Sequence, residues 1–121
     1  MKKSLIALSA LMLLGCTTYR PPKWTKADTV RQGAYTAFHV VDWQQTREVA
    51  DRNDFYEMNP ILGPNPSRDQ VDLYFLGTWV VMTGAAYLLP RPWRERLQYV
   101  GIVVESGVVT RNFGMGLRGR W

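Results

Sequence analysis

The sequence contains a single cysteine, Cys16, and a single histidine, His39, among its 121 residues. One thiol cannot form an intrachain disulfide, and no second residue stands at metal-ligand spacing from His39. Neither a GxSxG turn nor a glycine-rich phosphate loop after a strand occurs. We therefore expect no cofactor and no metal site, and the sequence holds no positive signal for an enzyme.

Strong charge of one sign is also missing. The chain has 15 Lys and Arg against 10 Asp and Glu, a formal net charge of +5. The basic residues are spread along the chain, and the aromatic residues do not interleave with them in a binding pattern. We therefore expect no nucleic-acid partner, and the length suits one small domain.

What the N-terminus does have is a short basic head, Lys2-Lys3, followed by an apolar run over residues 4–14. That run is far below the roughly 20 residues that span a bilayer, so it fits a cleaved signal. Its end, Leu13-Leu14-Gly15-Cys16, resembles the lipobox of bacterial lipoprotein signal peptides. The resemblance implies cleavage after Gly15 and acylation of Cys16, with membrane lipid as the partner of the acylated cysteine.

This resemblance divides the chain into a signal peptide (1–15), a lipidated, proline-containing tether (16–25) and a small helical domain (26–121). Thr17 follows the cysteine in place of Asp. In a Gram-negative host, the sorting rule of such lipoproteins then favours the periplasmic face of the outer membrane over the inner membrane. The alternative is that Cys16 is incidental and the segment is simply cleaved or stays as an N-terminal anchor.

Periodicity predicts a mainly α fold of about three helices. The first begins after an N-cap at Thr25, ends between residues 50 and 53, and turns a spaced apolar face to the core: Val30, Ala34, Ala37, Phe38, Val41 and Val49. Three prolines break the chain over residues 51–70. A second, apolar helix follows over 71–89 and a third over 93–110. Alternating Phe113, Met115, Leu117 and Trp121 suit a short C-terminal strand.

The apolar helix over 71–89 raises the question of whether the domain crosses a membrane. It is nearly long enough to span a bilayer, but Gly77 and Thr78 lower its hydrophobicity. Glu105 in the third helix is also costly to place in lipid. We expect a domain outside the inner membrane with 71–89 as its buried central helix. The alternative is a small polytopic inner-membrane protein whose lipobox is accidental.

Two groups of polar residues are candidates for chemistry. His39, Asp42 and Thr46 share a helix face, which we expect to be solvated because it lies opposite the apolar face. Glu105 sits among apolar residues and needs a partner, for which Arg111 or Asn112 is close in sequence. A structural ion pair is the expected role of Glu105.

The segment Glu57-Met58-Asn59-Pro60-Ile61-Leu62-Gly63-Pro64, with Asp42-x-x-Gln45-Thr46 upstream, resembles the ExNPxLG pattern of small uncharacterised helical proteins of bacteria and phages. The resemblance implies no activity. It suggests a polar cluster of Asp42, Glu57, Asn59 and Glu105. The simpler alternative is a loop held by hydrogen bonds, with Ile61 and Leu62 plugged into the domain.

Three functions follow from these patterns. The first is a lipid-anchored envelope protein whose helical domain is a structural or accessory component binding an unknown envelope protein. The second is a small inner-membrane protein of transport or assembly type, with acidic residues inside a helical bundle. The third, with least support, is a hydrolytic enzyme using Asp42, Glu57 and Glu105.

Overall fold

The computed structural model describes residues 19–121, which fold into three packed helices. These are α1 (Lys26–Asp51), α2 (Arg68–Leu88) and α3 (Arg91–Gly114). They run up, down and up, so the start of α1 lies at the same end as the link between α2 and α3. The all-α prediction is confirmed. The signal peptide and Cys16 lie outside the described residues.

Local sequence explains where α1 and α2 begin. Thr25 caps α1 as predicted, and its partner Asp28 completes a capping box, each side chain bonding the other's backbone N–H. Ser67 and Gln70 form the same arrangement at α2. α3 instead starts at Arg91, two residues before the predicted position; Pro90 is its N-cap, and Pro92 lies in the first turn, where its missing N–H has no helical partner to lose.

The link between α2 and α3 is held by Arg94, whose side chain is fully buried. Its guanidinium donates to the carbonyls of Ala86 and Tyr87 at 2.7 and 3.0 Å, where the last turn of α2 has no helical donors. It also pairs with Asp28 at 3.1 Å and donates to the Pro22 carbonyl at 2.9 Å. One side chain therefore caps α2 and joins it to α1 and to the preceding segment.

The predicted C-terminal strand is wrong, since the described residues contain no strand. Phe113 belongs to α3, and the last residues lie against the end of α1 instead. Glu48 accepts hydrogen bonds from the backbone N–H groups of Arg118 and Gly119, both at 2.8 Å, and from Arg52 at 3.0 Å. Burial by itself would raise the pKa of Glu48, but these donors outweigh it and hold the pKa below its usual value.

The predicted core face of α1 is wrong for most of its length, because the polar face is the buried one there, although Val49 is in the core as predicted. Val30 is 72% exposed, whereas His39 is 2% exposed and Gln45 and Thr46 are buried. On α3, Gln98 and Asn112 are buried as well. The bundle therefore has a hydrogen-bonded polar interior, and within the described residues no buried side-chain N or O atom lacks a partner.

α2 is not the buried central helix that its composition predicted. Most of its apolar side chains point outward, among them Leu73, Leu76, Val80, Val81 and Leu88, and only Val71, Phe75 and Ala86 are buried. The most extensive helix contact lies elsewhere, between α1 and α3. A Cβ on Gly101 would lie 2.8 Å from Cδ2 of Tyr35, so only glycine permits this approach.

Candidate functional site

His39 joins all three helices from its position on α1. One ring nitrogen, Nε2, bonds the Phe75 carbonyl of α2 at 2.9 Å, and the other, Nδ1, lies 2.6 Å from Oε1 of Glu105 on α3. This separation is slightly shorter than the usual range of about 2.7–2.9 Å for charge-assisted N–H···O bonds. The Glu105 side chain is 14% exposed. Glu105 therefore has the structural partner that we expected, but the partner is His39 and not Arg111 or Asn112.

Asp42 lies one turn along α1 from His39, and its carboxylate is close enough to Glu105 for direct interaction. It accepts hydrogen bonds from Asn112 at 3.2 Å and Thr46 at 3.5 Å. The stripe of His39, Asp42 and Thr46 that we expected in solvent faces the interior. The expectation failed because it assumed that the apolar side of α1 faces the core.

The loop over residues 52–66 covers this end of the bundle and is held by its own hydrogen bonds. Asn59 N–H donates to the Glu57 side chain at 2.8 Å, and Gly63 N–H donates to the Asn59 carbonyl at 3.0 Å. Gly63 has a φ of 76°, which an L side chain rarely adopts. Leu62 is half-buried, but Ile61 is 78% exposed and does not plug into the domain.

A cavity of about 520 Å³ lies between this loop and the three helices. The four residues grouped from the sequence, Asp42, Glu57, Asn59 and Glu105, all line it. The structure thus brings together two loop residues and one residue from each of two helices. His39 was not included in that group, although its i, i+3 spacing to Asp42 was the signal that could have added it.

Within residues 19–121, no group of three His, Cys, Asp or Glu side chains is arranged to hold a metal ion. Both nitrogens of His39 already bond protein atoms. The cavity therefore offers carboxylates, amides and aromatic rings to a ligand. Its other wall residues are mostly apolar, among them Phe55, Tyr56, Tyr74, Val104, Val108 and Met115.

The outer surface of the bundle carries a band without exposed charge. The band comprises residues 32–46 of α1, 73–89 at α2 and 97–110 of α3. The Asp, Glu, His, Lys and Arg residues inside these segments are His39, Asp42 and Glu105, and all three belong to the interior cluster. At 1.5 Å per residue the segments are about 21 to 26 Å long.

Arg and aromatic side chains pair at both edges of this band. At one end, Arg94 stacks over Trp24 at 5.1 Å and Arg96 over Trp93 at 5.0 Å. At the other end, Arg47 stacks over Trp43 at 5.5 Å, and the Trp43 ring N–H donates to Asp72 at 2.7 Å. Amphipathic rings at two levels, with charge beyond them, are typical of the two interfaces of a membrane.

By length and composition, one described helix, α2, could cross a membrane. Only 17% of its most apolar stretch is buried in the bundle, unlike the core helix of a water-soluble domain. Comparisons with protein-family models, curated proteins and solved structures found no match for this chain.

Proposed function

We propose that this chain is a small integral membrane protein of the cell envelope, with an ionisable site inside its helical bundle. The observation that carries the proposal is the inverted polarity of the domain. Its interior holds His39, Gln45 and Gln98, whereas its outer face holds Leu, Val and aromatic side chains. In water much of the apolar surface would stay exposed, which weakens the main driving force of folding, whereas in lipid that surface is matched and the interior polar groups keep their protein partners.

The dimensions support the same proposal. Segments of about 21 to 26 Å are somewhat shorter than a typical hydrocarbon core of about 30 Å. Arg31 and Arg47 flank the band on α1, and long side chains at such positions extend their charges toward the headgroups. A modest thinning of the bilayer accommodates the remaining difference.

The buried ionisable cluster favours a role in transport or assembly. Charged residues inside a membrane-spanning bundle are costly and mark ion or substrate sites by default. Hydrolysis has less support because both ring nitrogens of His39 are engaged, which leaves no free base beside Asp42. The site is therefore better suited to binding than to catalysis.

Topology mapping tests whether the bundle spans. In a Cys16→Ser background, which removes the only thiol, one cysteine is placed at Asn65 in the loop and, separately, one at Glu95 on α3. Both positions are exposed and lie at opposite ends of the bundle. A membrane-impermeant maleimide should label only one of them in intact cells and both after lysis. Labelling of both in intact cells would show that the bundle does not span.

Lipid anchoring at Cys16 is a second, separate proposal, supported by the lipobox resemblance of Leu13-Leu14-Gly15-Cys16. Metabolic labelling with palmitate should mark the protein, and Cys16→Ser should abolish the label. A chain with a cleaved secretory signal in place of residues 1–16 separates the two proposals. It should resist alkaline extraction if the bundle itself is in the membrane, and it should be released if only the lipid anchors it.

A further inference from the structure

The charges beyond the uncharged band are divided unequally between the two ends of the bundle. One end, formed by residues 19–31 and 90–96 and here called the basic end, has seven Lys and Arg against two Asp and Glu. The opposite end, formed by residues 47–72 and 111–121, has six of each kind. The excess positive charge of the described residues therefore lies at the basic end.

Pairing within the basic end leaves most of its cations free on the surface. Asp28 is buried and already bonded by Arg31 at 2.7 Å and by Arg94 at 3.1 Å. The other five cations are exposed, and among the described residues none of them forms a salt bridge: Arg20, Lys23, Lys26, Arg91 and Arg96. Residues 1–18 contain no Asp or Glu that could pair with them. Glu95 is the one exposed carboxylate at this end.

The opposite end shows what a neutralised surface looks like on the same bundle. Arg47 pairs with Asp72 at 2.6 Å and Arg68 pairs with Asp51 at 2.7 Å. Arg52 pairs with Asp54 at 2.7 Å and with Glu48 at 3.0 Å. This end therefore has no comparable excess of unpaired cations to attract an anion.

The aromatic side chains around the basic end indicate which kind of anion it meets. Trp24 stacks on Tyr87 with their ring centroids 6.3 Å apart, and Trp93 is 58% exposed beside Arg96. Amphipathic rings of this kind lie between hydrocarbon and water, and the free cations follow directly beyond them. That is the level of the lipid phosphates, which guanidinium groups bind well because the fork of donors matches the phosphate oxygens.

We propose that the basic end binds the headgroups of anionic phospholipids. Its five exposed cations attract the net negative charge of these lipids, and the neighbouring aromatic rings hold that end at the depth of the headgroups. This inference rests on the membrane location proposed above and adds the class of lipid that one end of the bundle prefers. It is tested by lipid binding in detergent, so it can fail while the bundle still spans a membrane, and the reverse.

The probe is dioctanoyl phosphatidylglycerol, and its matched control is dioctanoyl phosphatidylcholine, which has the same acyl chains but no net charge. The full chain in dodecyl maltoside is titrated with each lipid, and tryptophan fluorescence follows the binding because Trp24 and Trp93 lie at the basic end. Phosphatidylglycerol should bind saturably and at least about tenfold more tightly than phosphatidylcholine, with an affinity that falls as salt is added. Equal affinity for the two lipids, or no saturable binding of phosphatidylglycerol, would overturn the proposal. Equally tight binding of soluble polyglutamate would indicate an acidic protein as the partner and would overturn it too.

Two double variants locate the lipid-binding surface. Lys23→Gln/Arg91→Gln should weaken phosphatidylglycerol binding about tenfold or more, since each Lys or Arg near an anionic surface contributes roughly fivefold in affinity. Arg118→Gln/Arg120→Gln is the matched control, because it removes two exposed cations from the opposite end and lowers the net charge equally. It should keep the wild-type affinity within about twofold, because screening limits the reach of these charges. Equal losses in the two variants would show that net charge alone governs binding and would contradict the assignment.

A third variant predicts a gain of binding, which misfolding does not produce. Glu95→Gln removes the one exposed carboxylate of the basic end and should strengthen phosphatidylglycerol binding about twofold or more, with phosphatidylcholine binding unchanged. Unchanged or weaker phosphatidylglycerol binding in the folded Glu95→Gln protein counts against the proposal.

Discussion

Replacing Arg94 by methionine tests how the bundle is held together at the end opposite the cavity. The substitution keeps most of the side-chain volume but removes the charge and all the guanidinium donors. Wild-type Arg94 reaches Asp28, the Ala86 and Tyr87 carbonyls and the Pro22 carbonyl. In the variant these acceptors stay buried without their donor. Most of the cost of breaking a buried pair comes from the partner that is left buried and unpaired.

The expected loss of stability depends on which partners Asp28 keeps in the variant. Removing one partner of a buried ion pair typically costs about 3–5 kcal/mol. Asp28 keeps a second cation in this variant, because Arg31 lies 2.7 Å from its other carboxylate oxygen. We therefore expect the free energy of unfolding to fall by about 3 kcal/mol, at the lower end of that range. The stability of Arg94→Lys should lie between those of the wild type and Arg94→Met, since an ammonium keeps the charge but cannot make the several directed hydrogen bonds of the planar guanidinium.

The assay is chemical unfolding of the purified protein in detergent, followed by tryptophan fluorescence and far-ultraviolet circular dichroism. Arg96→Met is the matched control, since Arg96 is an exposed arginine on the same helix that stacks over Trp93 at 5.0 Å. It should cost less than about 1 kcal/mol. If Arg94→Met loses no more stability than Arg96→Met, Arg94 does not hold the helices together.

Three further perturbations have defined outcomes. Gly101→Ala should destabilise the bundle by about 1–3 kcal/mol, because its Cβ would lie 2.8 Å from Tyr35 Cδ2; Gly107→Ala on the same helix meets nothing within 4 Å and should be neutral or stabilising in the same unfolding assay. Ser67→Ala should lower the stability by about 1 kcal/mol, because it removes the N-cap side chain of α2, whereas Ser67→Asp should keep most of the stabilisation from the cap. Folding holds the pKa of Glu48 below its usual value. Its contribution to the stability of the folded state is therefore complete above the pKa of the unfolded chain, about 4.3, and is lost as the pH falls through the lower pKa of the folded protein. The C-terminal residues should therefore resist carboxypeptidase at pH 7 and at pH 5, and Glu48→Gln should increase cleavage at both; equal cleavage of wild type and variant at pH 7 would contradict the role of Glu48.

Helix positions were largely predictable, since capping and proline act locally. Thr25 with Asp28 marked the start of α1, and the prolines after residue 51 marked its end. The four residues grouped from the sequence line one cavity, and Glu57 and Asn59 could be singled out because they stand in a turn-rich segment. The role of Glu105 as an ion-paired carboxylate followed from its apolar neighbours, although its partner did not.

Burial could not be predicted from the sequence, because the prediction assumed that apolar residues face inward. Val30 and Leu76 are exposed, and His39 and Arg94 are buried. Periodicity identifies that a helix has two faces, but it does not say which of them faces its neighbours. His39 and Glu105 are 66 residues apart in the chain, and no local signal joins them.

The sequence by itself determined the three helices, their caps and breaks, and the lipobox resemblance at Cys16, because each depends on residues within a few positions of one another. Only the tertiary structure decided which face of each helix is inside, and with it the partner of Glu105 and the cavity beside Asp42. These depend on contacts between distant segments. The physical reason is that a bundle in water and a bundle in lipid can share one helical pattern while burying opposite faces.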